Sequence, residues 1–279
     1  MSPSVPTRLV QLTHPDEGRR AALVYNNELH LLATYRSVYD FALASVETGW
    51  KLRDLLSSDL SGIVLDYDEV YESQTLWRFL SAFDHPREPG CCVVSGLVGE
   101  GSGPGWQYQG SGDCLGGHDQ AIALSCSPAP VGLPEIAAAY VIGEGGVPRR
   151  VGVAQGLRSP RRNLLGPELI VEADFRRIEG KAHLFRAGRD VWSREFSAEV
   201  PLTLALAAVE PDHFRRADHR RSGDTHVHYF GERLFGAADS PLTEDGDEIE
   251  MELKGFGRKL RSRILVKEPA ALPFAVLPL

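Results

Sequence analysis

Long apolar runs are missing from this sequence, and no stretch approaches the roughly 20 residues needed to span a bilayer. The N-terminus MSPSVPTRLV also lacks the basic-then-apolar order of a secretory signal, so a cytoplasmic location is expected. Cysteine is scarce. Cys91, Cys92, Cys114 and Cys126 are spaced for neither a zinc knuckle nor a Cys-x-x-Cys redox pair, which leaves reduced thiols. No Gly-x-Ser-x-Gly occurs, removing the commonest serine-hydrolase signal. Positive charge falls short of negative, 30 Lys and Arg against 38 Asp and Glu, and the net charge of −8 argues against general nucleic-acid binding. Arg215-Arg216 and Arg220-Arg221 remain as local patches able to meet a small anion. The glycine-rich run Gly99-Glu100-Gly101-Ser102-Gly103-Pro104-Gly105 cannot be registered onto Gly-x-Gly-x-x-Gly and has no Lys-Ser/Thr ending. It reads as a connection rather than a nucleotide loop.

What is present is ordinary globular material: 279 residues, 43% hydrophobic and 24% charged, enough for one large domain and a small accessory one. Residues 8–12, 21–25 and 28–32 predict three short strands. From Ser37 the apolar spacing becomes helical, with Ser37 as N-cap and Asp40 in the first turn. Residues 51–60 and 68–83 predict two further helical pieces, the second carrying Tyr71, Trp77 and Phe79 toward a core. The polar, Pro-bearing segment 84–90 marks a boundary between a small mixed domain, 1–85, and a core domain, 86–279. Beyond it, segments 91–94, 136–142, 151–154 and 169–173 predict strands, and 181–185 with 190–196 a hairpin around Ala187-Gly188-Arg189. Segment 201–209 predicts a short helix. Ile249, Met251 and Leu253 alternate with Glu248, Glu250 and Glu252, a half-buried strand, and 258–266 returns as its partner on a solvated edge. The fold class expected is α+β and mostly β.

The order Gly223-Asp224, short strand, Phe230-Gly231, Ala238-Asp239, then Asp245-Gly246-Asp247-Glu248-Ile249-Glu250 and Gly255-Phe256-Gly257-Arg258 resembles the C-terminal signature of the fumarylacetoacetate hydrolase (FAH) family, in its sugar-acid-catabolism branch. The likeness extends to segments 7–10, 37–43, 134–143 and 166–171 and thins in the middle. It implies a β-roll of mixed sheets, normally dimeric. It also implies a divalent cation held by three carboxylates, two of them a Glu-x-Glu pair on a strand, where residues two apart point the same way. Such a cation polarises a keto or enolate oxygen.

Here that pattern is broken. Leu133 stands at the first Glu position and only Glu135 remains. After Gln155-Gly156 the chain runs Leu157-Arg158-Ser159-Pro160-Arg161-Arg162 where the third acid is expected, and Gln109 in Tyr108-Gln109-Gly110 replaces a substrate-binding Lys. The segment after Cys92 is short, as if the family's lid were deleted. The expectation is an enzyme without a metal cofactor, with Mg2+ as the alternative, acting on a keto acid or polyketide-type intermediate by isomerisation, dehydration or cyclisation. Glu135, Glu232 and Arg158 are the candidate catalytic residues, and Tyr108, Gln109, Gln155, Arg161 and Tyr229 the candidate substrate contacts. Glu232 reads equally as an exposed turn carboxylate. A non-catalytic binding protein of the same fold, and a conventional metal-dependent lyase or hydratase, stay open as alternatives. The expected partners are a small-molecule substrate and a second copy of the chain, with no nucleic acid and no membrane. His226 and His228 form a His-x-His pair that suits metal ligation, though a structural role at a sheet or subunit contact is the expectation; His183, His213 and His219 carry no motif.

Overall fold

A computed structural model describes residues 6–98, 105–132, 134–159, 161–172, 174–199, 201–231 and 241–267. The chain opens with a meander, β1 (Thr7–His14), β2 (Gly18–Tyr25) and β3 (Glu28–Leu32), each pairing antiparallel with the next. Helix α1 (Val38–Thr48) begins where expected: the Ser37 hydroxyl accepts from the Asp40 amide, satisfying one of the first-turn donors, and Gly49 closes the helix in the left-handed region. Helix α2 (Leu52–Ser58) leads into β4 (Leu60–Asp66), which pairs with β3.

The third helical expectation fails over most of its length. Helix α3 covers only Tyr67–Tyr71, and the chain then turns through Ser73 at φ 55° into the two-residue strand β5 (Arg78–Phe79), which pairs with β1. Tyr71, Trp77 and Phe79 are nevertheless buried, packed with Val10, Leu12 and Leu29.

The following elements are β6 (Cys92–Val98), β7 (Gly105–Ser111), β8 (Leu115–Gly116), β9 (Ile122–Leu124), β10 (Ala129–Pro130), β11 (Pro134–Gly143), β12 (Val147–Leu157), β13 (Asn163–Leu165) and β14 (Leu169–Val171). The hairpin β15 (Ile178–Arg186) and β16 (Arg189–Ala198) forms around Ala187 and Gly188, both at positive φ. Helices α4 (Leu202–Ala207) and α5 (Glu210–Phe214) precede β17 (Thr225–Tyr229), β18 (Leu242–Thr243), β19 (Glu248–Leu253) and β20 (Leu260–Val266).

One mixed sheet runs β4-β3-β2-β1-β14-β12-β11-β17-β6-β7, with β5, β8 and β13 attached at its side. Because β1 pairs with β14, the sheet passes without a break from the N-terminal strands into the core, across the boundary drawn near residue 85. A second sheet has the order β16-β15-β19-β20-β9. Strand β20 is therefore not a solvated edge: β9 pairs parallel along its far side, and Arg258 and Arg261 lay their guanidinium groups over the Tyr67 and Tyr71 rings, at 4.0 and 4.5 Å.

The central strand β11 is buried along its whole length and its two faces feed different cores. Ala137, Ala139 and Val141 pack with α1 and with Tyr229 and Cys92. Ile136, Ala138, Tyr140 and Ile142 pack with α4, α5 and the second sheet through Leu202, Phe214, Met251 and Leu253. The small-residue run Ala137-Ala138-Ala139 lets both layers approach the strand closely.

Candidate active site

Glu135 enters at the start of β11, opposite Gly156 of β12. The residue is 2% exposed and both of its carboxylate oxygens are engaged. Oε1 accepts from Arg158 Nε at 2.5 Å, a buried ion pair, and Oε2 accepts from the Gly231 amide at 2.9 Å. Two glycines make the arrangement possible. A Cβ on Gly231 would stand 2.2 Å from Glu135 Cγ, and one on Gly96 of β6 would stand 2.7 Å from Arg158 Nη1.

Tyr229 lies on the same side of the sheet. Its ring covers Gly156, its hydroxyl donates to the Leu164 carbonyl at 3.1 Å, and it is fully buried. Burial raises its pKa well above the ordinary phenol value, and the nearby Cys114 and Glu135 add to the shift, so the group stays protonated and serves as a donor. Cys92, also facing this core, is pushed up to about 12 by burial, which keeps it a thiol and removes it as a nucleophile. All four cysteines are free.

The structure thus brings Glu135, Arg158 and Tyr229 together, and it disperses the other candidates. Gln155 is fully buried, but its amide donates to the Arg258 carbonyl while its oxygen accepts from the Leu253 amide at 3.3 Å. Those two bonds tie the main sheet to β19 and the loop behind it, a structural task in place of the expected substrate contact. Tyr108, 67% exposed, and Gln109, bonded to Gln107 at 3.1 Å, lie on β7 at the far end of the main sheet. Arg161 is exposed. Glu232, together with Leu133, Pro160 and the segment 99–104 of the glycine-rich run, lies outside the described residues.

A divalent cation held by three carboxylates does not fit Glu135 as it stands. One carboxylate oxygen already faces a guanidinium at contact distance, and a hard dication beside that guanidinium would be repelled. Among the described residues no group of three acids, histidines or cysteines includes Glu135.

The histidines are the larger departure from expectation. His226 and His228 are fully buried on the opposite face of β17 from Tyr229, and His213 of α5 joins them at 2% exposure. The alternation of β17 signals the first two; nothing local to residue 213 signals the third.

No family profile matches this sequence, and no curated protein does. Solved structures do. A 2-keto-3-deoxyarabinonate dehydratase superposes with a TM-score of 0.65 at 15% identity, over 93% of this chain and 99% of the other. A 2-hydroxyhepta-2,4-diene-1,7-dioate isomerase from Mycobacterium marinum gives 0.60 at 14% identity over 94% and 99%, and a maleylpyruvate hydrolase from Sphingobium gives 0.56 at 13% over 92% and 100%. This is the fumarylacetoacetate hydrolase fold. The FAH fold covers nearly all of the chain, and the mostly β class expected from its many short strands holds. Among these FAH-fold structures is the dehydratase complexed with magnesium and 2,5-dioxopentanoate, at 15% identity and a TM-score of 0.63.

Proposed function

We propose that this protein is an enzyme of the FAH fold that acts on a small keto acid, or a larger polyketide-type intermediate, by proton transfer next to a carbonyl without a divalent cation at Glu135. The observation that supports it is the 2.5 Å pair between Glu135 and Arg158, which puts a fixed positive group where the resemblance implies a cation. A guanidinium offers five N–H donors in a plane and matches a carboxylate or an enolate in two-point contact. Arg158 would hold the negative charge that develops on the substrate oxygen, and Glu135, whose carboxylate has further lone pairs, would take the α-proton. Tyr229, kept protonated, supports the wall behind them. Isomerisation, dehydration and cyclisation all begin with this step. The homodimer, the cytoplasmic location and the role of Glu232 as a general acid belong to the same proposal.

Enzymes of this fold named as dehydratase, isomerase and hydrolase direct the choice of substrates to test. Purified full-length protein is assayed against a panel of 2-keto-3-deoxy sugar acids and unsaturated 2-hydroxy or 2-oxo dioates by ultraviolet absorbance. Turnover is expected that is indifferent to added Mg2+ or Mn2+ and falls by about 100-fold or more in Glu135→Gln, the scale of a lost general base. Turnover that appears only with Mg2+ overturns the proposal. The engagement of both Glu135 oxygens favours one competing reading, a binding protein that keeps the pair for stability. Tight binding of a panel member with no turnover of any would select it.

A further inference from the structure

On the face of the main sheet turned away from Tyr229 lies a closed nest of imidazoles. His226 and His228, two residues apart on β17, point the same way. His213 reaches them from α5, and its Nε2 lies 3.1 Å from His226 Nδ1. The His213 ring stands 4.0 Å from that of His228, and His219 stacks on His213 at 4.2 Å while its Nδ1 bonds the His213 carbonyl. Trp106, Tyr140, Phe214 and Phe230 form the walls.

The polar inventory of this nest does not close. A neutral imidazole carries one donor and one acceptor. His228 is fully buried, yet among the described residues neither of its nitrogens has a hydrogen-bond partner, and His213 Nδ1 has none either. Buried polar atoms in native folds are nearly always satisfied, so an orphaned pair at the centre of an aromatic box calls for a ligand. Lone pairs on three imidazoles with no acid among them form a donor set for a nitrogen-preferring dication and not for magnesium or calcium.

We propose that His213, His226 and His228 bind a first-row transition dication of the zinc class, at a centre separate from Glu135. One nitrogen from each ring can be chosen so that all three lie within 4.8 Å of one another, and among the described residues this is the one such group of His, Cys, Asp or Glu side chains. Nitrogens about 2.0–2.1 Å from a tetrahedral zinc are about 3.3 Å apart. The His213–His226 pair at 3.1 Å already has close to that spacing. Three imidazoles leave a fourth position for water or another ligand. The metal would also clamp α5 onto β17, two elements joined in sequence only through the irregular stretch between residues 214 and 225.

The test uses untagged full-length protein, stripped with a chelator and titrated with cobalt(II). The expected result is one cobalt per chain with visible ligand-field bands, displacement by zinc and none by magnesium, and an affinity at least about 100-fold lower in His213→Gln, since even outer-shell changes cost 10–100-fold. His183→Gln, altered on β15 outside the nest, should bind like wild type. Circular dichroism checks that each variant is folded. X-ray absorption at the zinc edge of the wild type, which needs no variant, should show three imidazoles. Failure of the wild type to take up cobalt or zinc overturns the proposal, as does uptake unchanged in both His213→Gln and His228→Gln. The readouts are metal content and spectra, so the outcome is independent of whether Glu135 and Arg158 catalyse anything.

Discussion

Removing Arg158 alone should cost more than removing both members of the Glu135–Arg158 pair. The Glu135 side chain is 3% exposed and that of Arg158 19%. Arg158→Met leaves a carboxylate in the interior facing the Gly231 amide but no guanidinium, and breaking a buried pair from one side costs about 3–5 kcal/mol. Because the arginine end admits some water, the lower end, about 3 kcal/mol, is expected. Glu135→Gln keeps the shape and an oxygen for the Gly231 amide, and removes the charge facing a guanidinium that water can reach, so about 1–2 kcal/mol is expected. In the double variant neither charge remains, and the loss should stay near about 2 kcal/mol rather than the sum of about 4–5. The coupling of about 2–3 kcal/mol lies at the top of the range for residues in contact. Urea unfolding of the four proteins, followed by fluorescence and circular dichroism with coincident transitions, measures it. Additivity within about 0.5 kcal/mol would refute the view that a guanidinium has taken over the neutralising task of a cation at this acid.

Two further outcomes follow from single side chains. His118, stacked on Tyr71 at 4.3 Å and 3% exposed, is held down to about 4, first by burial and then by the neighbouring Arg261. The unfolded chain takes up this proton near pH 6.5 and the folded one does not, so stability falls as pH drops from 6.5 toward 4, by about 2 kcal/mol at pH 5. His118→Phe should shrink the stability difference between pH 7 and pH 5 by that amount, and an unchanged difference counts against the assignment. Gly132 has φ 102°, and a Cβ there would stand 1.7 Å from the Arg158 carbonyl oxygen. Gly132→Ala should therefore lower stability by about 3 kcal/mol or more, read as a shifted urea midpoint or loss of soluble protein; a wild-type midpoint would mean that the Arg158 backbone is placed otherwise.

Local chemistry was legible where a pattern repeats within a few residues. The strict alternation of Glu248–Leu253 is a strand because only a period of two separates its acids from Ile249, Met251 and Leu253. Ser37 is read as a cap for the same reason, since its hydroxyl answers an amide three residues away. Failures came where a distant partner decides. Phe79 is placed by pairing with Leu12, not by helical spacing from Tyr71. The basic run on β20 suggested an exposed edge, yet its edge position is taken by β9, about 140 residues earlier, and its arginines rest on tyrosines of α3. His213 became a neighbour of His226 only through the return of α5 over the sheet.

The candidate site was legible for a further reason, and Glu168 shows its limit. Glu168 is as buried as Glu135, and it too is held by a guanidinium and a backbone amide: Arg8 at 3.0 Å and the Arg258 amide at 2.9 Å, with the Tyr67 hydroxyl at 2.7 Å. Burial and charge pairing do not separate these two acids. What separates them is position, because Glu168 joins β1, α3 and the loop before β20, whereas Glu135 sits on the strand that the resemblance associates with the family's cation. A stability measurement should therefore respond at both acids, and only turnover should respond at one. If Glu168→Gln and Glu135→Gln, compared at equal folded fraction, lose turnover alike, then the guanidinium at Glu135 is a structural bond of the same kind as the one at Glu168, and the chemistry of this fold lies elsewhere in the chain.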